Sequence, residues 1–374
     1  MRRGSNVLKG VLLSVFCIAQ LGANAQIDKN ATSETKALYK NLKSLSQHHT
    51  LFGHQHATEY GHGWVGDENR SDVKSVVGSH PAVIGVDLMG FTGQPDVAIE
   101  KTKLAVKKNI EDTYNRGGVT TIAWHFSNPV SGGGFYWKDN VSLPAVKYII
   151  PGGEAHEAYK IILNGVGLWM KSLKGKRGEP VPIIFRPYHE FDGNWFWWGA
   201  GHCTKDEFVS LWRFTVSYLR DTLQVHNVLY AFSPDNQFNS ESEFLNRYPG
   251  DEWVDMVGMD NYGDMGRDGY ALDKASKKLK IISDYAKKNG KLAAFTETGL
   301  ESVPNSTWWT EVLLKVMRSS DLELAYVLVW RNDTKSSTHY YAPYPGHEPG
   351  IPDFLKFYND PYTLFEVDLK NIYK

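Results

Sequence analysis

The sequence predicts an α/β protein, a (β/α)8 barrel forming a single domain behind an N-terminal signal peptide. Three observations carry this. Eight short apolar runs alternate with helix-like segments along the 374 residues, the pattern of parallel strands joined by crossover helices. Each run is continuously apolar, the mark of strands covered on both faces. And the runs end on polar or ionisable residues, where a barrel of this kind builds its active site. The competing architecture, an open doubly wound sheet, calls for a glycine-rich phosphate turn after the first strand, and "FGHQHATEYGHG" is not one.

The chain begins "MRRGSNVLKGVLLSVFCIAQLGANAQ". Arg2 and Arg3 precede an apolar run over 11–21, and Ala23-Asn24-Ala25 reads as a small-x-small cleavage site. This predicts a secretory signal over 1–25, too short to span a membrane. Cys17 raises the question of a lipid anchor, but Phe16 stands where a lipobox wants a small residue. With the signal removed only Cys203 remains, so no intrachain disulfide can form. The mature domain is read as 26–374, exported to the periplasm or secreted. It opens with a capping helix in "NATSETKALYKNLKSLSQ".

The strands follow in order: "TLFGHQH" ends on His54 and His56, "PAVIGVDLMG" carries Asp87, and "GVTTIAWHF" carries His125. "PVPIIFRPYHE" ends on Glu190, "HNVLYAFSP" leads to Ser233 and Asp235, and "VDMVGMDNY" holds Asp260 and Tyr262. "KLAAFTETG" holds Glu297, and "ELAYVLVWRND" ends on Trp330, Arg331, Asn332 and Asp333. Between them "DEFVSLWRFTVSYLRDT", "ALDKASKKLKIISDYAKKNG" and "NSTWWTEVLLKVMRSS" read as helices. No later stretch approaches 18 apolar residues in a row, and no Pro/Gly/Ser linker divides the chain.

A formal net charge of −1 argues against nucleic acid or an anionic membrane surface as partner. The aromatic fraction of 13%, with 12 Trp and 20 Tyr, suits a site that grips a flat, partly apolar ligand.

The chemistry concentrates in "RPYHEFDGNWFWWG", residues 186–199. Glu190 ends the fourth strand and Glu297 the seventh, on opposite sides of the barrel mouth, so the two carboxyl groups can face each other across a cleft. Such a pair suits glycosidic bond cleavage, one group protonating the leaving oxygen and the other attacking or stabilising the anomeric carbon. The acid must stay protonated near neutral pH, and the aromatic run beside Glu190 can supply the apolar wall. Its partner must stay ionised, and Arg186 is the candidate cation. Aromatic faces also stack on the C–H faces of sugar rings.

"RPYHEFDGNWFWWG" resembles the acid/base motif of glycoside hydrolase family 26, the β-mannanase family, and "FTETG" resembles its nucleophile motif. The order of the eight strand ends also matches. The resemblance implies Glu190 as acid/base, Glu297 as nucleophile, and cleavage with retention. It implies that His189 contacts the sugar at the reacting subsite, that Trp195 stacks near the cleavage point, and that Tyr262 hydrogen-bonds the nucleophile with Asp260 nearby. His125 would line the glycone side, Trp330 its floor, and Arg331 a distal contact. Trp137, in "GGFYW", is a looser match to a further platform.

The resemblance implies β-mannan or manno-oligosaccharide as substrate; a monomer with no cofactor and no metal is expected. Four histidines at 48, 49, 54 and 56 raise a metal site, but His54 and His56 are read as pointing to opposite faces of their strand. Two alternatives remain: a retaining hydrolase of mixed-linkage glucan or β-1,3-xylan, and a catalytically idle glycan-binding barrel. The long segment 129–151 is expected to fold over the cleft and favour release of mannobiose.

Overall fold

The computed structural model describes residues 26–89, 91, 97–140, 143–319 and 321–374. The expected signal over 1–25, Cys17 included, lies outside the described residues. Eight parallel strands form the barrel: β1 Thr50–Gln55, β2 Val83–Asp87, β3 Val119–Ala123, β4 Ile183–Arg186, β5 Val228–Phe232, β6 Met256–Asp260, β7 Leu292–Thr298 and β8 Tyr326–Val329. Each pairs with the next, and β8 closes onto β1 through Leu51–Tyr326 to His54–Val329.

Every residue of the eight strands is buried, which is why the sequence shows continuous apolar runs. The alternation is present in space: Leu51, Val83, Ile184, Leu229, Met256, Leu292 and Leu328 fill the barrel interior. Phe52, Ile84, Phe185, Tyr230, Val257, Phe295 and Val327 point outward into the layer beneath the helices. Thr363–Leu364 adds a short parallel pairing at the start of β1.

The expected capping helix forms over Ser33–Leu45, with the Thr32 side chain accepting from the Thr35 backbone N–H. Helix Lys205–Ser217 starts on a full capping box, Thr204 with Glu207. It then widens to a π-helical turn over Tyr218–Thr222. The expected helix near 305–320 is π-helical over Trp308–Leu314. Trp308, Trp309, Val312, Leu313 and Leu314 are all buried, more inward positions than one face of a 3.6-residue helix offers in seven residues.

β7 carries an irregularity. Met259 pairs with Phe295, but the next residue, Asp260, pairs with Glu297. Against β8, Val327 pairs with Phe295 and Val329 with Thr298. One extra residue therefore sits in β7 between Phe295 and Glu297, a bulge of the kind that re-aims a side chain beside an active site. Leu292 and Ala294 face the interior, Ala293 and Phe295 the outer layer. Strict alternation would send 297 outward with 293 and 295; the bulge turns Glu297 back toward the barrel axis.

Candidate active site

At the carboxyl ends of the strands lies a cleft of about 660 Å³, lined by His125, Tyr136, His189, Glu190, Trp195, Phe196, Asp235, Asn236, Gln237, Tyr262, Arg267, Glu297, Trp330, His339 and Tyr341. A larger depression of about 1020 Å³ includes residues 26–30 and 287–291. It sits at the amino ends of the strands, the face a barrel uses for stability, so the smaller cleft is the site.

β4 delivers its carboxylate through strained backbone. Tyr188 and Glu190 both take positive φ, 51° and 53°, a region costly for residues with a Cβ and concentrated at functional positions. The Glu190 backbone N–H donates to the Ser233 carbonyl at 2.9 Å, which fixes the turn. Glu190, Asp260 and Glu297 each bring a carboxylate oxygen into a group whose members lie within 4.8 Å of one another. Three carboxylates so close need compensation, and Arg186 supplies it. Its guanidinium is buried, donating to Asp260 Oδ2 at 2.6 Å and to Glu297 Oε1. Tyr262 donates its hydroxyl to the other Glu297 oxygen at 3.0 Å.

Glu190 has no such cation on it. Burial raises its pKa well above the usual carboxyl range, helped by the negative charges of Asp260, Glu297 and Asp235. Among the described residues its hydrogen-bonded side-chain partner is a donor: Trp195 Nε1 meets Glu190 Oε2 at 2.6 Å. The protonated form of one carboxyl group is thus favoured while its opposite is held by a cation and a phenol, the separation of roles that acid/base cleavage needs.

The neighbouring histidines differ in the same way. His125 Nδ1 is bound to Asp87; burial would lower its pKa, but the Asp87 carboxylate outweighs that and the net shift is upward. His189, its ring 4.6 Å from that of His125, is pushed well below the ordinary value by burial and then by the charges of Arg186 and His125. The site therefore sets an imidazole whose cationic form is favoured beside one whose neutral form is favoured.

Several expected residues stand elsewhere than the sequence suggested. Asp260 is fully buried, bonded to Arg186 and to Thr296 Oγ1 at 2.7 Å; it supports the site from beneath and does not line the cleft. Arg331 pairs with Asp333 at 2.9 Å and lies behind Trp330 rather than on the lining. Trp137 stacks on His202, ring centroids 3.7 Å apart, while its neighbour Tyr136 faces the cleft. In the "WFWW" run only Trp195 and Phe196 reach the cleft. Trp197 and Trp198 are wholly buried, donating to the carbonyls of Phe126 and His189. Segment 129–151 does not lie across the cleft in the part described: Trp137 N–H donates to Trp195 O and Trp197 N–H to Phe135 O, so it forms a side wall.

His54 and His56 do not point to opposite faces through the strand itself. Residues two apart on a strand face the same side. What separates them is that β1 stops at Gln55 and His56 turns with φ 55° to bind Glu59. Asn236, Gln237, Arg267, His339 and Tyr341 were not anticipated; they come from loops whose sequence carries no signal of facing a cleft.

Comparison with known proteins agrees with this geometry. The sequence model of glycosyl hydrolase family 26 matches residues 27–316. A mannan endo-1,4-beta-mannosidase of Bifidobacterium adolescentis is 33% identical over 350 residues, covering 88% of this chain; this chain spans only about a third of that relative, 34%. Among solved structures, GH26C from Muricauda sp. MAR_2010_75 is 40% identical with a TM-score of 0.88, covering 93% of this chain and 96% of its own. A GH26 beta-mannanase from Bacteroides ovatus is 40% identical with a TM-score of 0.83, covering 92% and 98%.

Proposed function

The chain belongs to glycosyl hydrolase family 26, and from that premise we propose that it is a retaining β-mannanase cleaving β-1,4-mannosidic linkages in mannans or manno-oligosaccharides. The observation that carries this is the approach of the Glu190 and Glu297 carboxylate oxygens to within 4.8 Å. Retaining enzymes hold their two carboxyl groups about 5–5.5 Å apart, whereas inverting ones leave roughly 6.5–9.5 Å for a water.

Glu190 gives its proton to the glycosidic oxygen while Glu297 attacks the anomeric carbon, forming a covalent glycosyl-enzyme and releasing the leaving-group sugar. Glu190, now ionised, takes a proton from a water that attacks the same carbon, and Glu297 departs. Arg186 and Tyr262 hydrogen-bond Glu297 and aim it. Trp195 offers its face to the sugar at the cleavage point and its N–H to Glu190. His125 and Trp330 hold the glycone, with Arg331 behind them, in a pocket sized for two sugars, so that mannobiose is the main early product. The enzyme works outside the cytoplasm, delivered there by the leader; among the described residues no helix is long and apolar enough to cross a membrane.

Reducing-sugar release from galactomannan, glucomannan, lichenan and β-1,3-xylan tests the assignment. Release from the mannans first supports it. Release from lichenan or xylan alone would move the enzyme to another β-glycan, and release from none would make the barrel a binding protein.

A further inference from the structure

Asp235 has no role in the scheme above, yet it stands in the cleft beside Glu190, Trp195, Gln237 and Arg267. Its position is built. The Asp192 carboxylate accepts from the backbone N–H groups of Asp235, at 2.6 Å, and Gln237, at 3.1 Å, so both ends of Asp192 grip the turn after β5. The preceding carbonyl, Pro234 O, accepts from the Asp260 N–H at 2.9 Å. A rigid turn thus presents a carboxyl group to the cleft, and no lysine, arginine or histidine forms an ion pair with it among the described residues. Arg267, nearby on the lining, bonds instead to Asp268 at 3.0 Å.

The side of the cleft matters. His125 and Trp330 stand on the glycone side, and the proton donor Glu190 faces the leaving oxygen. Asp235 lines the cleft with Glu190 and Trp195 and acts electrostatically on Glu190, and the proposed reaction puts the leaving sugar next to Glu190. A buried carboxyl group with no ion-paired cation, hydrogen-bonded to the Gln237 side chain and the Asn236 backbone and with Arg267 acting on it only at a distance, keeps acceptor capacity for a hydroxyl. Burial and the neighbouring Asp192 charge raise its pKa to about 7, so near neutral pH it can also donate.

We propose that Asp235 is a specificity-determining residue that hydrogen-bonds a hydroxyl of the sugar on the leaving-group side, making the enzyme select a sugar there over other leaving groups and acceptors. This rests on the glycosidase reading of the same cleft.

The test compares wild type with Asp235→Asn and Asp235→Ala on mannotetraose and on an aryl β-mannobioside, whose leaving group is not a sugar. Asp235→Ala should lower kcat/KM on mannotetraose by about 10- to 100-fold, the size of a lost hydrogen bond to a charged group, and change the aryl substrate by less than about threefold. The aryl substrate also reports that the variant is folded. A change in Glu190 alone would give the same split, so a second readout is needed: the partition of the glycosyl-enzyme between added mannobiose and methanol as acceptors. Loss of the sugar preference by about tenfold supports the proposal. An unchanged partition overturns it, whether or not the alkaline limb of the pH profile moves, and so does an equal loss on both substrates. The mannanase reading fails separately, if wild type cleaves neither substrate, and that outcome also removes the sugar this inference assigns to Asp235.

Discussion

At the scale of single residues the site works by giving like groups unlike surroundings. Glu190 and Glu297 are both carboxylates in one small volume, but only Glu297 is held by Arg186 and Tyr262. Glu297→Ala should therefore abolish turnover on every substrate. Glu190→Ala should cost about 10²- to 10⁴-fold on mannans, the usual value of a general acid, while sparing the first step on aryl glycosides with good leaving groups. Equal losses on both substrate types would mean the roles are misassigned. The pH dependence follows with its sign. The acid must be protonated, and burial has raised its pKa, so activity on mannan extends above the usual carboxyl range and falls as pH rises through that raised value. On activated aryl substrates the alkaline fall in the first step should flatten. Asp87 acts one residue further out, through His125. Asp87→Asn should weaken glycone binding by about tenfold, and combining it with His125→Ala should add little, because residues in one hydrogen-bonded unit are not additive. Additive losses in kcat/KM would show that Asp87 works independently.

At the scale of elements, the sequence revealed the strands because each is apolar on both faces, and revealed the site because charged residues cluster where those runs stop. The same property hid the bulge in β7. When inward and outward residues are both apolar, alternation cannot be read, and nothing in "LAAFTET" announces an extra residue before Glu297. Nor could four adjacent aromatics be sorted by composition: Trp197 and Trp198 are core, Trp195 is cleft, and what separates them is the turn over 191–199. Gly193 is the visible clue to that turn. A Cβ there would lie 2.2 Å from the Trp195 ring, so the indole lies over a residue that has no side chain. Gly193→Ala should displace Trp195 and break its hydrogen bond to Glu190, lowering kcat/KM on manno-oligosaccharides by about tenfold or more. Trp195→Phe, which keeps a platform but loses the N–H, should fall less. If Gly193→Ala matches wild type in activity and Trp fluorescence, the indole does not depend on that gap.

At the scale of the whole molecule, the barrel decides where chains can lie. One wall of the cleft is the segment 133–137 tied to residues 195–197, which brings Tyr136 to the lining. Beyond His125 and Trp330 stand groups from the first and last strand ends. His56 binds Glu59 and stacks on Tyr60, ring centroids 5.1 Å apart, and Arg331 is braced by Asp333. Arg331 and Asp87 both act electrostatically on the Tyr60 hydroxyl, so these groups are neighbours, at the end proposed to hold the glycone. On the proposed disaccharide-releasing reading, this polar, internally bonded wall would meet the terminal hydroxyls of a second sugar and exclude a third. A chromatographic time course on mannopentaose and mannohexaose should then show mannobiose as the main early product, with little drop in the viscosity of polymeric mannan. Arg331→Ala should open that end and spread the early products toward mannotriose and longer. A wild-type enzyme that yields an early ladder of lengths would reject the closed pocket while leaving the roles proposed for Glu190 and Glu297 untouched, because the bulge in β7 and the turn after β4 set their approach independently of what the strand-end loops allow to enter.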